Sequence, residues 1–143
     1  MSFWDASAIV PLILPESQSL VVQQRLGRDG QVAVWWGTPV ECQSAVERKR
    51  RTGELSEAAA SAAVRKLDGL RLAWQEVEPA EAIREMALRY LRIHPLRAAD
   101  ALQLAAAFAA AEGRPATLEF LSLDERLVDA ARREGFRIVA VDG

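Results

Sequence analysis

The sequence contains one cysteine and one histidine, Cys42 and His94. A single cysteine cannot form a disulfide within the chain, and a zinc site made of cysteine and histidine ligands would need more of these residues. A metal ion bound by this chain would therefore have to be held by oxygen ligands. Cys42 has no histidine near it in sequence, so we expect a small buried apolar residue rather than a nucleophile. His94 precedes a proline, which predicts a surface turn.

Long apolar runs are also missing, since every apolar stretch is well below the roughly 20 residues that span a bilayer. The first residues lack a signal-peptide pattern, so we expect a cytoplasmic protein with no membrane segment. The net charge is only −2, which leaves any basic surface to local clusters. With 143 residues, 50% of them hydrophobic, the chain is predicted to form a single domain over residues 1–143.

Short apolar segments alternate with helical patterns along the whole chain. The predicted strands are Ser2 to Asp5, Val32 to Trp36, Trp74 to Val77, Phe120 to Leu123 and Arg137 to Val141. The predicted helices are Ser7 to Leu14, Ser17 to Arg28, Pro39 to Thr52, Ser56 to Leu72, Pro79 to Ile93, Arg97 to Glu112 and Glu125 to Glu134. This alternation favours an α/β fold with a parallel sheet covered by helices.

Four acidic residues lie where an apolar or strand-like stretch gives way to a predicted helix. They are Asp5, Glu41, Asp100 and Asp124. In α/β proteins the crevice for ligands lies outside the carboxyl ends of the strands, so acids at such junctions can converge there. Carboxylates that cannot easily all ionise together indicate a site for a hard divalent cation.

Helix capping is the alternative explanation for these acids. Asp5 and Asp124 can be N-caps, and Ser122 with Glu125 can form a capping box. The segment TPVE at residues 38–41 also fits a capping box, with Thr38 as N-cap and Glu41 reaching back to its amide. Each of these acids taken alone therefore has a structural interpretation as well as a functional one.

Asp100 is harder to explain as a structural residue. It lies in the first turn of a helix that is apolar on nearly every face, and such a helix is expected to be buried. The helix dipole stabilises an acid there by roughly 0.3–1 kcal/mol. Desolvating an unpaired carboxylate costs several kcal/mol, so Asp100 should line a site that contains water or a cation.

The four acids lie in segments that together resemble the VapC-type toxins of the PIN-domain family. The matching segments are WDASA at residues 4–8, TPVE at 38–41, LRAADALQLA at 96–105 and LSLDERL at 121–127. The resemblance covers essentially the whole chain. It implies a three-layer α/β/α sandwich with a central, mostly parallel sheet. Ser7 and Ser122 lie where the family has hydroxyl residues.

The resemblance also implies an activity and partners. The activity is a Mg²⁺- or Mn²⁺-dependent endoribonuclease of a type II toxin–antitoxin system, whose products carry a 5′-phosphate and a 3′-hydroxyl. We assign Asp5 and Asp100 as the principal metal ligands, with Asp124 and Glu41 completing the site directly or through water. The implied partners are a cognate antitoxin that masks the acids and a second copy of the chain in a homodimer. Apolar positions on two helices, Val64 to Leu72 and Ile83 to Leu91, fit either such an interface or internal packing.

Residues that contact substrate are less clear from the sequence. The run ERKRR at residues 47–51 can track phosphates, or it can be a solvated helix end in which Glu47 pairs with Arg51. Arg97 lies one turn before Asp100 and can meet a phosphate or pair with a neighbouring acid. Trp35 and Trp36 can stack on bases if exposed, but a strand of this composition favours burial of at least one of them.

Three other functions have to be compared with a ribonuclease. A phosphotransfer receiver or an aspartate-nucleophile phosphatase needs a lysine after a late strand, but the only lysines are Lys49 and Lys66. A DNA-directed nuclease would share the metal chemistry. A non-catalytic partner-binding module of the same fold would not need four intact acids.

Overall fold

The computed structural model describes residues 1–141, excluding the side chain of Asp29. These residues form one sheet of five strands in the order β3-β2-β1-β4-β5, and every neighbouring pair is parallel. The strands are β1 (Ser2–Trp4), β2 (Val32–Trp35), β3 (Gln75–Val77), β4 (Glu119–Leu121) and β5 (Arg137–Ile138). The helices are α1 (Ala6–Ile13), α2 (Ser19–Asp29), α3 (Thr38–Arg51), α4 (Glu57–Ala73), α5 (Glu81–Ile93), α6 (Ala98–Ala110) and α7 (Glu125–Arg133).

Each predicted strand and helix is present, and most boundaries differ by only one or two residues. The last strand is the main exception, because it ends at Ile138 instead of continuing to Val141. Its neighbour β4 ends at Leu121, and the amide of Val139 donates the final bond to the carbonyl of Phe120, at 3.1 Å. Among residues 1–141, no backbone hydrogen bond continues this pairing beyond Val139.

Both faces of the sheet are covered by helices. Side chains alternate between the faces along a strand. Phe3 lies in a core cluster with residues of α5, α6 and α7, and its ring stacks on Phe120 at 5.7 Å between centroids. Trp4 lies in a second cluster with residues of α1, α2, α3 and α4. Two separate cores on opposite faces make the fold the expected three-layer α/β/α sandwich, with an all-parallel sheet.

The prediction of a surface turn at His94 is wrong. His94 is only 7% exposed, its Nε2 lies 2.6 Å from Glu134 Oε2, and its ring contacts that of Tyr90. The pair joins the ends of α5 and α7. The local His-Pro pattern could not reveal this contact, because Glu134 is 40 residues further along the chain.

The ion pair between Glu47 and Arg51, which belonged to the interpretation of ERKRR as a solvated helix end, is also absent. Glu47 binds Arg50 instead, with Nε 2.7 Å from Oε1, and Arg50 reaches Glu57 of the next helix at 3.1 Å. Arg50 is preferred because it lies between two carboxylates. Arg51, one residue further, forms no ion pair among residues 1–141.

Several large apolar side chains remain exposed, as the apolar patterns of two helices suggested. Leu72 of α4 and Leu88, Leu91 and Ile93 at the end of α5 are the main examples on those helices. None of the helices within residues 1–141 combines the length and the apolar character needed to span a membrane. An interface that covers these side chains stays a prediction from the sequence.

Candidate active site

The four predicted acids follow the carboxyl ends of neighbouring strands or begin a helix beside them. Asp5 directly follows β1, Glu41 lies in the first turn of α3 after β2, and Asp124 lies after β4 at the start of α7. Since β2, β1 and β4 are adjacent and parallel, these three acids lie at the same end of the sheet, where the strands have their carboxyl ends. Asp100 lies in the first turn of α6.

Electrostatic interactions connect the four carboxylates into one group. Burial raises the pKa of Asp5, Glu41 and Asp100, and a neighbouring negative charge adds to the rise in each case. Glu41 acts on the pKa of Asp5, Asp100 on that of Glu41, and Asp124 on that of Asp100. Like charges shift a pKa in this way only at short range. The structure therefore places each predicted residue within electrostatic range of the next, from Asp5 through Glu41 and Asp100 to Asp124.

Asp5 is the most deeply buried of the four, at 4% exposure. Burial raises its pKa to about 7, although hydrogen bonds from Ser7 and Ser122 oppose the shift. None of the ion pairs among residues 1–141 involves Asp5. A buried carboxylate without a cation is costly, so this position is unfavourable for folding alone and suits a positively charged ligand.

Two serines join the end of β1 to the loop after β4. The hydroxyl of Ser7 donates to Asp5 Oδ1 at 2.7 Å and accepts from the amide of Leu123 at 2.8 Å. It also lies 3.2 Å from the hydroxyl of Ser122, which accepts from the amide of Asp124 at 3.0 Å. This network fixes the orientation of Asp5 and holds the backbone of Asp124 at the same end of the sheet.

The capping interpretation is right for only one of the acids. Oδ1 of Asp124 accepts from the amides of Arg126 and Leu127, at 2.9 and 3.4 Å. Asp5 occupies the N-cap position of α1 but makes no capping bond. The proposed box of Ser122 with Glu125 is wrong, because Asp124 is the N-cap and Ser122 bonds to its amide.

The capping box of Thr38 and Glu41 is wrong as well. The helix α3 begins at Thr38 with Gly37 as N-cap, so Thr38 is one residue too late to cap it. Both side chains instead bind Gln103 of α6, whose Nε2 donates to Thr38 Oγ1 at 3.0 Å and to Glu41 Oε2 at 2.8 Å. Glu41 is therefore held by a tertiary contact and is not needed to start its own helix.

Gln103 is the site residue to which sequence reasoning assigned no role. It is 1% exposed, and its Oε1 is buried without a hydrogen-bond partner among the described residues. A signal existed, since Gln103 is the only polar side chain in the apolar run from Ala101 to Ala111, one turn after Asp100. A buried acceptor left without a partner beside a carboxylate fits a position at which a ligand or its water binds.

Within residues 1–141, no three Asp, Glu, His or Cys side chains converge closely enough to ligate a metal ion as they stand. The atoms available as metal ligands at this end of the sheet are nonetheless all oxygens. They come from four carboxylates, two hydroxyls and the free Gln103 carbonyl. Cys42, fully buried as predicted, is not a candidate ligand, because burial and the negative charges of Glu41 and Asp5 raise the pKa of its thiol to about 12. The donor set fits Mg²⁺ or Mn²⁺, which prefer oxygen ligands.

Comparison with known proteins identifies the fold and the family. The chain is similar in structure to a toxin–antitoxin complex from Klebsiella pneumoniae (TM-score 0.67, 13% identity, 99% of this chain and 98% of that chain covered). It is also similar to FitAcB from Neisseria gonorrhoeae (TM-score 0.67, 16% identity, 98% and 97% covered) and to a protein of Pyrobaculum aerophilum (TM-score 0.64, 21% identity, 96% and 83% covered). No curated protein matches the sequence. The family model described as PIN domain matches residues 3–133, and the chain therefore belongs to the PIN domain family.

Proposed function

We propose that the chain is a metal-dependent endoribonuclease that acts as the toxin of a toxin–antitoxin pair. The observation that carries the proposal is the group of four coupled carboxylates, in which Asp5 is buried without a cation. PIN domains are generally metal-dependent nucleases, which agrees with this site. One of the similar structures, from Klebsiella pneumoniae, is described as a toxin–antitoxin complex, which supports the toxin assignment.

The metal would be held by Asp5 and Asp100 as principal ligands, with Glu41 and Asp124 completing the site directly or through water. Among residues 1–141 these side chains do not yet share one ion position, so they would have to move toward the metal on binding. When bound, Mg²⁺ or Mn²⁺ supplies activation of a water molecule and compensation of charge on the scissile phosphate.

The residues around the acids have separate tasks in this proposal. Ser7 orients Asp5, and Gln103 holds Glu41 while its free Oε1 can accept a bond from an ordered water. Arg97 and Arg126 are close enough to Asp100 to lower its pKa against the effect of burial. These two cations can meet a phosphate group at the site.

Water, not the RNA 2′-hydroxyl, is the attacking group in this proposal, and the products would carry a 5′-phosphate. Metal-free RNA cleavage by a histidine pair is not open to this chain, since its one histidine is buried against Glu134. Product-end mapping after cleavage would check this assignment directly.

Partners follow from the same proposal. A cognate antitoxin would mask the acids, and a homodimer would cover part of the exposed apolar surface at Leu88, Leu91 and Ile93. We place the chain in the cytoplasm, where the RNA substrate is present. Co-purification with an adjacent small antitoxin would support this proposal.

The test uses the purified chain with structured RNA, single-stranded RNA and matched single-stranded DNA, in Mg²⁺, Mn²⁺ or EDTA. We expect cleavage of RNA with either ion and none in EDTA. Cleavage of DNA at the same rate would assign a DNA-directed nuclease instead. No cleavage, together with no heat of Mg²⁺ or Mn²⁺ binding in calorimetry, would identify a non-catalytic partner-binding module.

Replacing Gln103 by Met should weaken Mn²⁺ binding about 10- to 100-fold, because residues that orient metal ligands typically contribute that much to affinity. Met keeps the volume of the buried side chain but removes both hydrogen bonds to α3. Calorimetric titration measures the affinity. The matched control is Leu102→Met on the same helix, which should bind Mn²⁺ as the wild type does. Equal affinity of Gln103→Met and the wild type would show that Gln103 has only a packing role.

A further inference from the structure

Trp36 is the one tryptophan that the fold does not bury. Trp4, Trp35 and Trp74 are at most 9% exposed, whereas half of Trp36 is exposed to solvent. The indole is nevertheless held in place, because it packs edge-on against Trp35 with 6.5 Å between ring centroids. An exposed but ordered aromatic ring is more typical of a binding surface than of a core.

Trp36 lies at the same end of the sheet as the acids. Its amide donates to the carbonyl of Val77 at 3.1 Å, which extends the pairing of β2 and β3 by one step. In the register of β1 and β2, Phe3 pairs with Ala33, so Asp5 lies level with Trp35 and Trp36 is one residue further out. Trp36 thus lies at the same carboxyl end of the sheet as the candidate metal ligands.

A groove of about 560 Å³ runs from Trp36 along α3. Val40 in the first turn of α3, Arg51 at the end of that helix and Arg71 of α4 line the groove. This volume is within the usual range for sites that bind small molecules or single nucleotides. The groove therefore begins at Trp36 and carries two arginines in its wall.

Two carboxylates in the groove wall do not cancel this charge completely. Glu47 is engaged by Arg50 at 2.7 Å, and Glu76 accepts from the indole of Trp74 at 3.0 Å and lies 3.8 Å from Arg71. Arg51 has no acidic partner among residues 1–141. Arg51 is therefore available for an anionic ligand, and Arg71, at that long distance and half exposed, can turn toward one.

We propose that Trp36 is a stacking platform for one unpaired base of a single-stranded RNA, with Arg51 and Arg71 binding the phosphates that flank it. The inference rests on the proposed ribonuclease function and adds a substrate-positioning subsite to it. Single-stranded RNA is recognised by stacking of splayed bases on aromatic rings beside cationic side chains. An apolar protein partner would not account for the two arginines in the groove wall.

The test measures the Kd of a fluorescein-labelled single-stranded RNA by anisotropy in Mg²⁺. The background is Asp100→Asn, so that the RNA is not cut. Adding Trp36→Ala should raise the Kd about 5- to 150-fold, the range for loss of one stacked base. Trp36→Phe should keep most of the affinity, and Trp36→Leu should not. Leu20→Ala, which removes an exposed apolar side chain on α2, is the matched control and should bind normally.

Salt dependence separates stacking from phosphate binding. Arg51→Gln should reduce the slope of log Kd against log salt by about 0.7, the value for one phosphate contact on a single strand. Trp36→Ala should leave that slope unchanged while weakening binding at every salt concentration. Circular dichroism and thermal melting of each variant would show that the fold is retained.

The outcomes distinguish this inference from the proposed function. If the wild type cuts RNA but Trp36→Ala binds it as tightly as the background protein, the stacking subsite is wrong and the ribonuclease proposal stands. The subsite is also wrong if Leu restores affinity as well as Phe, because the contact would then be merely apolar. If the wild type neither binds nor cuts any RNA with metal present, both proposals fail.

Discussion

Replacing Asp100 by Asn is expected to reduce metal-dependent RNA cleavage at least about 1,000-fold while leaving the fold intact. A ligand of the metal contributes several kcal/mol to stabilising charge in the transition state, and each 1.4 kcal/mol is a factor of ten in rate. Asp100 is half-buried and its pKa is raised by burial and by Asp124, so its negative charge does not stabilise the fold. The loss of activity should therefore come without a lower melting temperature.

Asp129→Asn is the matched control for this substitution. Asp129 also lies on a helix close to the site, but it is exposed and pairs with Arg133 one turn away on α7. An exposed pair of this kind contributes little to stability. Single-turnover cleavage rates and calorimetric Mn²⁺ titrations of both variants would be compared. Wild-type cleavage by Asp100→Asn would show that Asp100 is not a metal ligand.

The second large effect is on stability as a function of pH in the absence of divalent ions. The metal-free protein should lose stability as the pH rises from about 4 to about 7. The pKa of Asp5 is about 7 in the folded protein and 3.8 when unperturbed, so between these values the folded state binds a proton that the unfolded state does not. Stability falls with pH wherever the folded state binds more protons.

The size of this effect follows from the shift. At 1.36 kcal/mol for each pKa unit, protonated Asp5 contributes roughly 4 kcal/mol to the free energy of unfolding at low pH. This contribution is fully lost above pH 7. The pKa values of Glu41 and Asp100 are raised as well, so they add to the fall in the same direction. Asp5→Asn should flatten most of the curve and make the metal-free protein more stable than the wild type at pH 8.

Urea denaturation at several pH values in EDTA measures this dependence. Added Mg²⁺ should restore stability to the wild type at pH 8, because an ion that binds only the folded state shifts the equilibrium toward it. It should do little for Asp5→Asn. Asp68→Asn, on the exposed face of α4, should behave like the wild type in both conditions. A wild-type curve that rises between pH 4 and 7 would show that Asp5 is stabilised as the anion by a group not identified in this site.

Much of the fold could be predicted because its signals are local. Each strand is a short apolar run, each helix has its own periodicity, and their alternation leaves a parallel sheet as the simplest arrangement. The convergence of Asp5, Glu41 and Asp124 also followed, since each comes after a strand and parallel strands end at one edge. At Glu47 and the Thr38 box, sequence reasoning was wrong because it assigned a partner from the nearest suitable neighbour. At His94 it was wrong because it inferred a surface turn from the adjacent proline.

What the sequence determined by itself is therefore the elements, their alternation and the positions of the four acids. Only the tertiary structure decided the partners of those acids. Gln103 and Glu41 are 62 residues apart, and no local pattern relates them. Trp35 and Trp36 are equivalent in composition, but successive side chains of a strand point in opposite directions, so packing buries one and leaves the other beside the site. Contacts between distant elements depend on how their surfaces meet, which is a property of the folded chain as a whole.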